Sequence, residues 1–213
     1  MKMNLPNRLT VLRLIMVPVF MVVMLIPPFT DFSSMTDSIL SLVGAALFIG
    51  AAVTDLLDGR IARREGLVTD FGKFLDPLAD KFMVIGALLC VFFTNSMASN
   101  RSLSTIFFFA LIIVIFRELA VTSIRLIASS SKGVVIAANI LGKLKTVLQI
   151  VAISAAMIEP VLFRSIEHIA PVPAVLYQFP PVTVIATALM LYFTVHSGLN
   201  YIIGAWKYLD HTK

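Results

Sequence analysis

Long apolar runs separated by short polar breaks make up almost the whole chain. Read as helices, the runs give six spans, at about 9–27, 38–57, 74–94, 103–127, 142–159 and 178–206. The breaks carry turn-forming or polar residues: Pro27-Pro28 with Asp31 to Asp37, Gly66 to Gly72, Asn95 to Ser104, Ser129 to Gly133, and Pro160 to Pro181. About 20 helical residues cross the roughly 30 Å hydrocarbon layer of a bilayer, a length these runs match. There is no repeat period, no low-complexity tract and no polar block large enough for a second unit. Residues 1–213 are therefore expected to form one all-α, membrane-embedded domain.

Composition agrees with that reading. Hydrophobic residues make up 59% of the 213 and charged residues 14%, and the mean hydropathy of +0.95 lies outside the range of soluble globular domains. Lys2 and Arg8 lead into the apolar run from Val11 to Ile26, which is also how a secretory signal begins. Pro27-Pro28-Phe29 follows in place of a small-residue cleavage site, so a retained first helix is expected. The single Cys90 cannot form an intramolecular disulfide, and cysteine usage says nothing about redox compartment.

The net charge of +5 is distributed unevenly. Lys2, Arg8 and Arg13 precede or open the first span, Arg60, Arg63, Arg64 and Lys73 fill the second loop, and Lys132, Lys143 and Lys145 surround the fourth. Lys207 and Lys213 lie beyond the last span, whereas the alternate loops hold only Arg101 and Arg164. Basic residues are retained on the cytoplasmic side, so both termini are expected there, in the cell membrane. The positive charge then serves topology and attraction to anionic lipid, and no nucleic-acid partner is called for.

Four aspartates interrupt this apolar pattern, in Thr54-Asp55-Leu56-Leu57-Asp58-Gly59-Arg60-Ile61-Ala62-Arg63 and in Gly72-Lys73-Phe74-Leu75-Asp76-Pro77-Leu78-Ala79-Asp80. An aspartate at mid-bilayer costs at least ~2.5–3.5 kcal/mol and usually marks function. Asp55 and Asp58 are three residues apart and Asp76 and Asp80 four apart, so each pair shares one helix face. The second span runs inward and the third outward, which lets the two faces meet near the cytoplasmic surface. Four carboxylates brought together repel one another, and a cation resolves the conflict. An all-oxygen set without nearby His or Cys favours Mg²⁺ or Mn²⁺ over zinc, and four acids can bridge two such ions.

The competing structural reading makes these aspartates helix caps, or partners of Arg60, Arg63, Arg64 and Lys81. It accounts for any one of them more easily than for two opposed pairs. Gly59, Ala62 and Gly72 beside the carboxylates leave room for a ligand or for a neighbouring helix. Pro77 sits inside a helical pattern, which is tolerable where a cavity is lined.

From Asp55 to Asp80 the sequence reads D-x2-D-G-x2-A-R-x8-G-x3-D-x3-D, and with every fixed position occupied it resembles the signature of the CDP-alcohol phosphatidyltransferases. Six spans with the motif bridging the second and third are that family's architecture. The resemblance implies a CDP-linked lipid as donor, an alcohol as acceptor, and a phosphodiester lipid and CMP as products. It makes Asp55, Asp58 and Asp76 metal ligands, and Asp80 the general base on the acceptor hydroxyl as well as a fourth metal-facing group. It also implies that Asp58, Gly59, Ala62, Arg63 and Gly72 contribute to the CDP-lipid site. Upstream, Asn7, Thr10 and Arg13, three residues apart, match a segment that helps form the family's nucleotide pocket; the alternative is a helix N-cap with interfacial basic anchors. A homodimer is expected on the same ground.

The acceptor is addressed by Arg117 and Arg125 in an otherwise apolar fourth span and by Lys143 and Lys145 at the start of the fifth. Buried guanidinium groups need anionic partners, and a phosphate on the acceptor would supply one. Alternatively, Arg117 pairs with a motif aspartate, Glu118 with a lysine, and Arg125 reaches for the interface. The segments Asn-Leu-Pro-Asn-Arg-Leu-Thr, Phe-Arg-Glu-Leu-Ala-Val-Thr-Ser-Ile-Arg and Gly-Lys-Leu-Lys-Thr-Val-Leu-Gln resemble a bacterial branch of the family that transfers from CDP-diacylglycerol to sn-glycerol 3-phosphate. Phosphatidylglycerol or an inositol phosphate as acceptor, and outside the family a divalent-cation transporter, are the alternatives.

His168, His196 and His211 have no ligand spacing. Tyr192, Tyr201, Trp206 and Tyr208 are expected at the interface, and the run from Ile106 to Phe109 is expected to face lipid.

Overall fold

The computed structural model describes the backbone of residues 5–30, 33–65, 70–132 and 140–206, and the side chains of 7–30, 33–55, 72, 74–125 and 141–204. The elements are α1 (Leu5–Leu25), a 3₁₀ turn (Pro27–Phe29), α2 (Ser34–Glu65), α3 (Asp70–Met97), α4 (Arg101–Lys132), α5 (Ile140–Glu167), a short α6 (Ala174–Gln178) and α7 (Pro181–Trp206). No strand occurs among the described residues. Six segments are long and apolar enough to span a bilayer, and the protein is a multi-pass membrane protein.

Several helices outrun the apolar segments that announce them. α2 and α4 have 32 residues each, about 48 Å at ~1.5 Å per residue, against a hydrocarbon layer of roughly 30 Å. Hydropathy ends where water begins. The helix of α2 continues through Asp-Gly-Arg-Ile-Ala-Arg-Arg-Glu, where Ala, Arg and Glu sustain it. The expected break at Pro160 is also corrected, because α5 runs through that proline to Glu167. α3 likewise continues through Pro77. A proline removes one N–H from the ladder, which a helix held by neighbours on both sides can absorb.

α1 packs on α2 and α3, α3 on α4, and α5 on α2 and α7, with α7 also against α4. Phe20, Phe48, Met83, Leu88, Phe107 and Ile153 form the main core. A smaller cluster of Ala110, Ala152 and Ala186 around Met190 lets α4, α5 and α7 approach closely. Large apolar side chains such as Ile15, Val22, Leu189 and Ile203 point outward, as a surface facing acyl chains requires. The Ile106 to Phe109 run divides. Phe108 and Phe109 are exposed, but Phe107 is fully buried, because successive helical residues point in directions about 100° apart.

At the end of the bundle where α5 finishes, Glu159 is buried and accepts hydrogen bonds from the backbone N–H of Val182 (3.0 Å) and Thr183 (2.8 Å) and from the Thr183 hydroxyl (2.8 Å). It caps α7, whose first residue is Pro181, with its carboxyl group at the positive end of the helix dipole.

Candidate active site

The other end of the bundle collects the first turns of α1, α3 and α5 and the later turns of α2 and α4. On α1, Asn7, Thr10 and Arg13 recur every third residue along one face, and all three are buried. Arg13 forms an ion pair with Asp55 of α2 at 2.7 Å. One turn earlier, the Thr10 hydroxyl donates to Asp76 of α3 at 2.7 Å. One face of α1 thus holds a carboxylate from each of the two motif helices. Asp55 lies near enough to both Asp76 and Asp80 for their charges to repel.

Asp55 of α2 therefore does meet Asp76 and Asp80 of α3. The Asp55 side chain remains 32% exposed beside its arginine, and Asp76 is exposed, so both are reachable from solvent. Asp80 sits deeper, and its Oδ1 is buried with no hydrogen-bond partner. Gly72, one turn before Asp76, is buried at the same end. The side chains of Asp58, Gly59, Ala62 and Arg63 lie outside the described residues.

A carboxylate has about four lone-pair positions, and one hydrogen bond or one ion pair leaves most of them open. The donors at this end are hard oxygens that repel one another, one of them without a partner, and this chemistry fits a divalent cation of the Mg²⁺ type. Among the described residues no three acidic, His or Cys side chains close on a single point. Asp58, one turn beyond Asp55, is the further acid of the motif.

Next to the aspartates lies a second polar cluster. Glu118 of α4 accepts from Arg117 at 2.9 Å and pairs with Lys145 of α5. A small cavity here is lined by Asp80, Lys81, Glu118, Lys145 and Gln149 together with Val84 and Ile85. Lys81 donates to Thr122 at 2.7 Å and ties α3 to α4. Gly198 of α7 gives Arg117 its room, because a Cβ there would lie 3.0 Å from the Arg117 Cγ.

Of the four basic residues assigned to the acceptor by sequence, the structure gathers two. Arg117 and Lys145 share Glu118, so Glu118 does pair with a lysine, as the alternative reading had it. Lys143 is exposed, since it stands two residues from Lys145 and therefore on the opposite side of α5. Arg125 is also exposed and lies over the ring of Tyr201, 5.8 Å from its centroid. Sequence reasoning assigned no role to Gln149 or Glu159, and it met Glu118 only as a counter-ion. An acid or amide inside an apolar run was the available signal for all three.

The sequence matches the CDP-alcohol phosphatidyltransferase family over residues 3–206. It is 38% identical over 209 residues to the CDP-diacylglycerol--glycerol-3-phosphate 3-phosphatidyltransferase of Bacillus subtilis (strain 168), covering 97% of each chain. A probable phosphatidylglycerophosphate synthase of Mycobacterium tuberculosis (strain ATCC 25618 / H37Rv) is 37% identical over 204 residues, 96% of this chain and 82% of the relative. The CDP-diacylglycerol--glycerol-3-phosphate 3-phosphatidyltransferase of Wigglesworthia glossinidia brevipalpis is 37% identical over 156 residues, 72% of this chain and 76% of the relative.

Proposed function

The chain belongs to the CDP-alcohol phosphatidyltransferase family, and from that premise we propose that it transfers the phosphatidyl group of CDP-diacylglycerol to sn-glycerol 3-phosphate. The products are phosphatidylglycerophosphate and CMP. The observation that carries this reading is the meeting of Asp55, Asp76 and Asp80 at one end of the bundle, held from α1 and adjoining the Arg117, Glu118 and Lys145 cluster. The names of relatives that match this chain nearly end to end support glycerol 3-phosphate as the acceptor. The basic cluster supports it less strongly than the sequence suggested, because Glu118 already neutralises part of its charge.

Members of the family generally use divalent metal ions. Here Asp55, Asp58, Asp76 and Asp80 would hold two ions of the Mg²⁺ or Mn²⁺ type, which would supply charge neutralisation at the diphosphate. The chain's own residues do the rest. Arg13 and Thr10 fix the Asp55 and Asp76 carboxylates from α1, so little reorganisation is needed when the donor arrives. Asp80, with an oxygen that nothing else occupies, takes the proton of the acceptor hydroxyl as that oxygen attacks the phosphorus next to the diacylglycerol. The bond to the CMP oxygen breaks, and CMP leaves as an anion. Arg63, with Asn7, Asp58, Gly59, Ala62 and Gly72, would line the path of the nucleotide. Arg117 and Lys145 would face the acceptor phosphate, with Arg125 and Lys143 at the approach.

In this reading residues 1–213 act as one membrane-embedded domain and function as a homodimer. The active site and both termini face the cytoplasm, as the distribution of lysine and arginine favours. A lipid diphosphate then enters from the bilayer and a water-soluble acceptor from the aqueous side.

The test is CMP release by purified protein from CDP-diacylglycerol, with glycerol 3-phosphate, phosphatidylglycerol and inositol phosphate offered separately. Glycerol 3-phosphate should support turnover that EDTA abolishes and added Mg²⁺ restores. Turnover with another acceptor and none with glycerol 3-phosphate would overturn the assignment.

A further inference from the structure

Gln149 has no role in the reaction as described so far, yet it is among the most deeply buried polar side chains of the protein. It is 1% exposed, and its Nε2 has no hydrogen-bond partner. It stands one helical turn after Lys145 on the same face of α5 and lines the small cavity that Asp80 and Lys145 also line. An amide buried without a partner is a liability that a leucine or methionine of similar size would not carry. A group from outside the chain can supply that partner, and the cavity limits what the group can be.

The cavity has a volume of about 10 Å³, room for roughly one oxygen atom. A phosphate does not fit there, but a hydroxyl does. A hydroxyl oxygen can accept from the unpartnered Gln149 Nε2–H while its own hydrogen donates elsewhere in the cavity.

On these grounds we propose that Gln149 is a specificity-determining residue that binds the acceptor hydroxyl adjacent to the one that attacks. The acceptor it selects is a phosphate monoester with two hydroxyls on neighbouring carbons. The inference rests on the function proposed above and deepens it. For glycerol 3-phosphate, the C1 hydroxyl lies on Asp80, the C2 hydroxyl enters the cavity against Gln149, and the phosphate lies toward Lys145 and Arg117.

The experiment compares glycerol 3-phosphate with 3-hydroxypropyl phosphate, which has the same chain and phosphate and lacks only the C2 hydroxyl. CMP release is measured for the wild-type protein, Gln149→Met and Gln149→Asn. The wild type should show a KM about 10- to 100-fold higher for the deoxy acceptor, the range expected when a buried polar group is left unpaired. In Gln149→Met the ratio should fall to near one. That fall should come from a higher KM for glycerol 3-phosphate, and retained CMP release with the deoxy acceptor reports that the variant is folded. Gln149→Asn, with its amide withdrawn by one methylene, should fall between the two.

An undiminished preference for glycerol 3-phosphate in Gln149→Met overturns the proposal, as does a wild type that does not distinguish the two acceptors. Equal loss of turnover with both acceptors in Gln149→Met and Gln149→Asn also overturns it, since it assigns Gln149 to the framework. A wild type that releases no CMP with glycerol 3-phosphate instead contradicts the underlying function, and takes the inference with it.

Discussion

Glu159 and Asp80 are both acids inside an apolar bundle, and their surroundings differ in one respect. Glu159 lies some fourteen residues beyond Lys145 on α5, roughly 21 Å along the helix, and its two oxygens accept from two backbone amides and a hydroxyl of α7. Asp80, on α3 beside Lys145, keeps an oxygen that is buried and unpartnered. Asp55 and Asp76, its neighbours, are held from α1 by Arg13 and Thr10 and remain reachable from solvent. A buried carboxylate with its hydrogen bonds complete holds the fold together. One left incomplete, among others that repel it, is available for a ligand or a proton. The hydropathy cost of placing an acid in the membrane is the same for both and does not distinguish them.

That contrast is open to direct challenge by substitution. Asp80→Asn keeps the shape and removes the base, so kcat should fall by about 10²- to 10⁴-fold. Binding of CDP-diacylglycerol, measured by equilibrium dialysis with labelled donor, should stay close to that of the parent. Activity equal to the parent would remove Asp80 from the proton transfer.

Thr10→Val tests whether the grip from α1 matters. It takes away the Thr10 hydrogen bond to Asp76 at nearly constant volume, and apparent metal affinity in the CMP assay should weaken by roughly 10- to 100-fold. An unchanged metal dependence would make Thr10 an ordinary packing residue. The smallest effect on activity should come from the complete acid. Glu159→Gln should leave kcat unchanged while lowering stability by about 1–3 kcal/mol, read as a reduced melting temperature in detergent. If Glu159→Gln lost activity as fully as Asp80→Asn, hydrogen-bond completeness would not separate the two classes.

Much of this was legible in the sequence, because each signal was local. Six apolar runs gave the spans, and the spacing of Asp55, Asp58, Asp76 and Asp80 gave two acidic faces. The Asn7, Thr10 and Arg13 spacing placed three side chains on one face of α1, but nothing in it named their partners. That two of them hold Asp55 and Asp76 depends on how α1 packs between α2 and α3, which is long-range information. The same limit hid the fate of Lys143 and Lys145. Both are basic and two residues apart, yet only Lys145 turns toward Glu118. Helix ends were misplaced at α2 and α5 because hydropathy reports the thickness of the bilayer and not the persistence of hydrogen bonds beyond it. Gln149 and Glu159 escaped notice because a polar residue in an apolar run reveals its meaning only through what surrounds it.

The acids brought together by α2 and α3 should bind a divalent cation. Titration of Mn²⁺ into purified protein, followed by electron paramagnetic resonance of the free ion, measures this without reference to turnover. The wild type and Glu159→Gln should bind Mn²⁺ alike, and Asp55→Ala combined with Asp76→Ala should lose that binding. Undiminished Mn²⁺ binding by the double variant would contradict the account.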